Sequence, residues 1–362
     1  MPINSFLAQL APYKRVIDED IAAYALEMRT TTKAQYGQSV LDAETDIFLD
    51  MLARGGKRLR GALTMVGYEM CGGTNRAMIV QAARAIEMLH AYILIIDDIQ
   101  DRSTLRRGKA TAHEMLAAYH KKHGLRGDSR HAGISLALMS GIAGGHVAQS
   151  ILANLDARPE LRTNVLSIVN RTMAITAHGQ TMDIMNELVE HPTLEDIDRV
   201  LEWKTALYTI INPLHVGMVL AGAGCEQTDA ITPFATHIGK AFQITDDILG
   251  IFGEEKELGK LPGDDIREGK GTLLTAYALQ HASPEEAVFL RRCLGNPELT
   301  AEEFEQCKHI IEHIGALAEA RYQAGAHITQ ALESFEATKG MWQPKGAEFL
   351  QSLALALQKR VS

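Results

Sequence analysis

Two apolar helical runs in this chain each end in a pair of aspartates, and that pattern narrows the folds open to it. The first run, residues 82–96, leads into Asp97-Asp98-Ile99-Gln100-Asp101. The second leads into Phe242-Gln243-Ile244-Thr245-Asp246-Asp247. An unpaired carboxylate is costly to bury, and several together are costlier, so a fold that keeps them inside must bring a cation to them. Oxygen ligands with little else nearby suit Mg2+, which commonly brings phosphates with it. Arg106 and Arg107 follow the first cluster closely and are suitable diphosphate partners. The chain therefore reads as a scaffold for metal–diphosphate chemistry carried on helices.

The rest of the sequence supports a helical scaffold. Phe48, Met51 and Leu52, then Leu59, Leu63 and Val66, recur at spacings of three and four. Helices are predicted over 77–99, 164–178, 194–220 and 231–252, with a break near Pro213. Ser283 before Pro284, and Thr300 before Ala301-Glu302-Glu303, mark further helix starts. Strict two-residue alternation is nearly absent. Loops are expected at 71–75, 121–131, 253–271 and 339–346. No composition shift marks a boundary, so residues 1–362 are expected to form one all-α domain with a carboxylate-lined cavity between helices.

Composition excludes some classes. Net charge is −9, which argues against a nucleic-acid partner. The apolar runs are short or interrupted by polar residues, so no stable membrane span is expected. The first residues show no targeting pattern, and the four cysteines form no Cys-x-x-Cys pair. A cytoplasmic protein with reduced thiols is the expectation.

Individual residues then take candidate roles. Asp97 and Asp101, four apart, share a helix face, with Asp98 about 100° around from Asp97. His90 lies close to two turns below Asp97 on that face. Gly55-Gly56-Lys57-Arg58-Leu59-Arg60 joins a backbone able to approach a phosphate to basic side chains. Gln243 can share a face with Asp246. Lys204, beside Thr205 in an apolar helix, needs an anionic partner. Gln180 and Asp183 form another polar face, open to a core network or a site. Lys260 and Lys270 lie in a glycine- and lysine-rich loop that could fold over a polyanion. The basic stretch 121–131 is expected to be solvated.

These segments, taken in order, resemble the trans-isoprenyl diphosphate synthases, the polyprenyl synthetase family. The matching segments are Gly-Gly-Lys-Arg (55–58), His90 ahead of Asp-Asp-x-x-Asp (97–101), Arg-Arg-Gly (106–108), Gly-Gln-x-x-Asp (179–183), Lys-Thr-Ala-x-Tyr (204–208), Phe-Gln-x-x-Asp-Asp (242–247), Gly-Lys (259–260) and Asp-x-x-x-Gly-Lys-x-Thr (265–272). The resemblance implies a mostly antiparallel helix bundle around a deep central cavity, usually a homodimer. It implies head-to-tail (1′-4) condensation of isopentenyl diphosphate with an allylic diphosphate. Asp97, Asp98, Asp101, Asp246 and Asp247 would then hold Mg2+, three ions per site. Arg106, Lys204, Thr205, Gln243, Lys260 and Lys270 would face the allylic diphosphate; Lys57, Arg58, His90 and Arg107 would bind isopentenyl diphosphate.

In that family bulky residues before the first aspartate limit product length. Tyr92, five before Asp97, resembles enzymes that make farnesyl or geranylgeranyl diphosphate, whereas a helical wheel sets Ile86, Leu89 and Ile93 nearer the aspartate face. Three departures stand out. Ile142 follows Gly141 where the family often has Gly-Asp, Gly61 stands where it often has proline, and Gly250 replaces a third aspartate in the second acidic motif. Terpene cyclases share the implied fold but lack the isopentenyl diphosphate residues, and a silent regulatory subunit would be expected to lose the aspartates.

Overall fold

The computed structural model describes residues 2–37, 39–189, 192–253 and 263–361. It is all-α apart from one short hairpin, as expected. Contacts group the chain into two compact units, each holding one of the acidic helix ends.

The first unit comprises Ala8–Leu166 with Val216–Gly222. Its helices are α1 (Pro2–Tyr36), α2 (Ser39–Ala53), α3 (Leu59–Met70), α4 (Arg76–Gln100), α5 (Ala112–Lys122), α6 (Ser129–Ala153) and the start of α7 (Pro159–Leu188). Asn75 starts α4 by accepting the Met78 N–H at 3.1 Å. α4 packs on α3 and α6, and α5 also packs on α6. Close approach to α6 depends on its glycines. The Tyr92 ring lies over Gly141 and Gly145, where an added Cβ would meet it at 3.1 Å in each case, and Gly144 makes room for the Phe48 ring. The strands β1 (Leu105–Arg106) and β2 (Lys109–Ala110) form the hairpin, which two-residue periodicity is too short to reveal. Its turn residues Arg107 and Gly108 have φ of 54° and 73°, as a tight two-residue hairpin loop requires.

Length and composition make α4 and α6 apolar enough to cross a membrane, but 61% of the α4 window and 39% of the α6 window are buried within the protein.

The second unit comprises Met1–Leu7, Ser167–His215 and Ala223–Ser362. After α7 come α8 (Leu194–Val200), a π-helix (Leu201–Ile211), α9 (Asn212–Leu220) and α10 (Cys225–Phe252). The break expected near Pro213 is absent. The path stays helical but winds wider, and the Asn212 N–H reaches back to the Leu207 carbonyl. Proline has no N–H to return and crowds the carbonyl four residues earlier, which a widened turn accommodates. From residue 263 onward come α11 (Asp264–Glu268), α12 (Leu273–His281), α13 (Pro284–Cys293), α14 (Ala301–His313), α15 (Ala316–Thr338) and α16 (Pro344–Val361). Capping boxes at Ser283/Glu286 and Thr300/Glu303 start α13 and α14 where the sequence places them. α10 is the hub, packed on the π-helix, α15 and α16.

Candidate active site

In the first unit, α4 delivers Asp97, Asp98 and Asp101 to the hairpin. Asp98 is fully buried. Its Oδ1 accepts from Arg106 Nε at 2.6 Å and pairs with Nη2 at 2.5 Å, and Nη2 also reaches Asp97 Oδ2 at 3.4 Å. The Asp98 Oδ2 is buried without a hydrogen-bond partner. Burial pushes this carboxyl up to about 6 although Arg106 pulls the other way.

The next residue, Arg107, goes elsewhere. Its guanidinium lies over Gly56 and donates to the Gly55 carbonyl. Gly55 and Gly56 have φ of 85° and 113°, and a Cβ at position 56 would meet Arg107 Nη2 at 2.7 Å. The paired glycines therefore seat an arginine. One hairpin sends consecutive arginines to two places, Arg106 to the aspartates and Arg107 to the Gly-Gly-Lys segment.

That segment itself divides. Arg58, with φ of 52°, turns inward. It donates to Asp18 at 2.8 Å and to the Leu52 carbonyl at 2.8 Å, and pairs with buried Glu87 at 3.3 Å. Lys57 stays exposed. Arg60, the last basic residue of that segment and one to which the sequence assigned no particular substrate, comes within 3.3 Å of His90 Nε2. The signal for it was helical spacing: Arg60 falls on the first turn of α3, which packs on α4. Burial, then Arg60, Arg107, Arg106 and Arg58, hold His90 well below its usual value, so it is a neutral hydrogen-bonding group. A cluster of guanidinium groups around a neutral imidazole suits a polyanion.

In the second unit, the π-helix and α10 assemble another constellation. Thr205 Oγ1 donates to Gln243 Oε1 at 2.8 Å, and Gln243 Nε2 donates to Asp247 Oδ1 at 2.7 Å. Gln243 thus serves the second aspartate of the pair, one full turn on. Burial, then Asp265, pushes Asp247 up to about 8. Lys204 finds the anionic partner it requires in Asp183, at 2.5 Å. Gly179 permits this, because α7 presses on the Lys204 backbone where a Cβ would come within 2.6 Å of its nitrogen. Lys270 pairs with Glu187 at 2.8 Å and lies 3.8 Å from Asp183. Asp183, on the polar face it shares with Gln180, therefore belongs with the two lysines. Lys260 lies outside the described residues.

Of the chain-length candidates, Leu89 is buried, Ile93 is half-buried and Tyr92 leans on α6. The basic stretch 121–131 ends α5, turns through exposed residues and starts α6.

The donor set fits a hard divalent cation. Asp98 offers an unpartnered buried oxygen, and Asp247 is crowded by acidic neighbours. Among the described residues no three His, Cys, Asp or Glu side chains already form a metal cage. Mg2+ does not need one, because it keeps water and binds through one or two carboxylates together with substrate phosphates.

Known proteins agree with this chemistry. A family model described as polyprenyl synthetase matches residues 44–311. Geranylgeranyl diphosphate synthase of Saccharolobus solfataricus is 34% identical over 265 residues, covering 72% of this chain and 74% of that one. The short chain isoprenyl diphosphate synthase of Methanocaldococcus jannaschii is 31% identical over 262 residues, with coverage of 72% and 74%. Geranylgeranyl pyrophosphate synthase from Corynebacterium glutamicum, solved in complex with isoprenyl diphosphate and magnesium, superposes with a TM-score of 0.89 at 29% identity, covering 96% of this chain and 98% of that one. The matched stretch takes in both acidic helix ends and the basic segments around them, and this chain belongs to the polyprenyl synthetase family.

Proposed function

We propose that this chain is a trans-prenyltransferase that condenses isopentenyl diphosphate head-to-tail with an allylic diphosphate, releasing diphosphate and a short-chain all-trans product. Farnesyl or geranylgeranyl diphosphate is the product we favour. The observation that carries the reading is the buried Asp98 carboxylate, with one oxygen on Arg106 and the other without a partner. Such a group calls for a cation, and the neighbouring guanidinium cluster calls for a polyanion.

In this reading Arg60, His90, Arg107 and exposed Lys57 hold the isopentenyl diphosphate, while Arg58 braces the segment from inside. Arg106, Lys204 and Lys270 take the allylic diphosphate, and Thr205 orients Gln243. Mg2+, three ions per site held by Asp97, Asp98, Asp101, Asp246 and Asp247, would supply Lewis-acid stabilisation of the leaving group. Fixed cations stabilise the charge that grows on the departing diphosphate. The apolar residues of α4 below Asp97 shield the allylic cation from water. The alkene of isopentenyl diphosphate attacks that cation, and loss of a proton to the released diphosphate restores neutrality.

Homodimerisation belongs to the proposal. Met139 and Ile142 on α6 are 51% and 40% exposed, an apolar stripe suited to a second copy. Ile142 in place of the family's aspartate extends that stripe.

The test is product analysis with Mg2+, labelled isopentenyl diphosphate and dimethylallyl, geranyl or farnesyl diphosphate in turn. Extension that stops at farnesyl or geranylgeranyl diphosphate is the expected result. Absence of incorporation with every primer would sink the reading, and a cyclic hydrocarbon from an allylic diphosphate alone would point to a cyclase.

A further inference from the structure

The basic stretch between α5 and α6 takes no part in the site described above, yet its backbone is fixed. α5 ends in a Schellman arrangement: the Leu125 N–H donates to the His120 carbonyl at 3.2 Å and the Gly124 N–H to the Lys121 carbonyl at 3.1 Å, with Gly124 at φ 59°. The buried His120 ring holds the turn from inside, its Nε2 lying 2.9 Å from the Arg126 carbonyl oxygen. Asp128, the one acidic residue between 121 and 131, is occupied in capping α6, where it accepts the Arg130 N–H at 2.9 Å. This frame displays Lys121, Lys122, Arg126 and Arg130, all exposed. Leu125 stands among them 48% exposed, although the residue at its place in such a cap ordinarily packs back on the helix. In a chain of net charge −9 this concentration of positive charge is local.

Its position follows from the helix packing. Gly141 on α6 faces both Tyr92 and Ile95, whereas Gly145 faces Tyr92 alone, so α6 runs antiparallel to α4. Gly133 faces the His113 carbonyl and Ala117, which sets α5 alongside the start of α6. The start of α6 therefore stands roughly two turns past the aspartate end of α4, on the side away from the apolar residues below Asp97.

We infer that this stretch is a docking surface for an anionic lipid bilayer, its four cations meeting lipid headgroups and Leu125 entering the layer beneath them. A nucleic-acid backbone would answer the charges but give Leu125 nothing to enter. The choice of a bilayer also rests on the prenyltransferase reading above, whose product joins a diphosphate head to a hydrocarbon tail and leaves for an apolar phase. Such docking is reversible and weakens as salt screens the charges.

Co-sedimentation of the full chain with phosphatidylcholine vesicles, with and without phosphatidylglycerol, tests it. Wild type should bind only the vesicles that contain phosphatidylglycerol, and less at high salt. The combined variant Lys121→Gln, Lys122→Gln, Arg126→Gln and Arg130→Gln should bind them more weakly by on the order of a hundredfold or more. Leu125→Ser should weaken binding by on the order of tenfold with every charge kept. Both variants should turn over substrates at the wild-type rate in vesicle-free buffer. Equal binding to neutral vesicles, no binding to either kind, or unchanged binding by the combined variant would overturn the inference. So would an unaffected Leu125→Ser with equal uptake of duplex DNA, which would make the stretch a general polyanion surface. Lost turnover in a folded combined variant without vesicles would overturn it too, and place the stretch in substrate capture. A wild type that binds the anionic vesicles yet incorporates no isopentenyl diphosphate would uphold the docking surface and overturn the prenyltransferase reading.

Discussion

Gly61 donates its backbone N–H to the carboxylate of Glu87 at 2.9 Å, deep in the first unit. The same carboxylate pairs with Arg58, so Glu87 joins the start of α3 to the middle of α4. Proline at this position, having no N–H, could not make the bond. Here a ring would lose it, and even a Cβ would meet Ile17 Cδ1 at 2.9 Å. Gly61→Pro should therefore destabilise the protein by about 1.5–3 kcal/mol for the lost charge-assisted bond, with steric strain added. Urea unfolding measures it. A variant as stable as wild type would show that Glu87 finds another donor.

Arg58 and Arg60 should separate cleanly. Arg58→Ala leaves buried Glu87 without its cation and should cost about 3–5 kcal/mol of stability. Arg60→Ala should leave the melting temperature nearly unchanged while raising KM for isopentenyl diphosphate on the order of tenfold to a hundredfold, as expected for one lost charge-assisted bond. Steady-state kinetics against each substrate in turn distinguishes the two. A raised KM for the allylic substrate alone would move Arg60 out of the isopentenyl diphosphate set.

Asp98→Asn removes the buried charge but keeps the shape. Metal-assisted stabilisation of a leaving group is worth several kcal/mol, so turnover should fall on the order of a thousandfold or more. The Mg2+-induced rise in melting temperature should shrink in parallel, whereas the metal-free variant should fold as well as wild type. Calorimetry of both proteins with and without Mg2+ checks the pair of outcomes, and an undiminished Mg2+ response would remove Asp98 from the metal set.

Away from this chemistry, the Nδ1 atoms of His237 on α10 and His327 on α15 stand 3.0 Å apart. Burial, then His237 and Lys240, pull His327 down to about 4 from an ordinary 6.5. Asp198 and Glu202 face the same cluster and neutralise Lys240. The unfolded chain takes up its proton near 6.5 and the folded one near 4. Stability is thus undiminished above 6.5 and declines as pH falls from 6.5 towards 4. The urea midpoint should follow that course, and His327→Gln should flatten it. An identical slope in the variant would place the acid sensitivity elsewhere.

Much of the fold was legible because periodicity and caps are local signals. The α4 and α10 runs, the Ser283 and Thr300 caps and the two acidic ends could all be read from neighbours along the chain. What stayed hidden depends on partners far away in sequence. Nothing near Arg58 says that Asp18 and Glu87 wait for it, so motif reading placed it on substrate and gave Arg60 no role of its own. The hairpin of Arg106 and Arg107 was too short to leave a periodic trace, although its arginines stood out by type. Lys204 announced its need for an anion, but only the approach of α7 at Gly179 made Asp183 that anion.

The π-helix at Leu201–Ile211 gives the protein an internal ruler. Each of its turns takes in more residues than an α-turn, so the separation between Lys204 and the residues beyond Pro213 is stored in winding instead of in a loop. Deleting one residue there would leave a chain still able to cross the same span as an ordinary helix. Its side chains would then be rotated by about 100°, carrying Lys204 away from Asp183 and Thr205 away from Gln243. Loops elsewhere in the chain can gain or lose a residue and absorb the change. This segment cannot, and lineages of the enzyme should show length changes on either side of it but not within it.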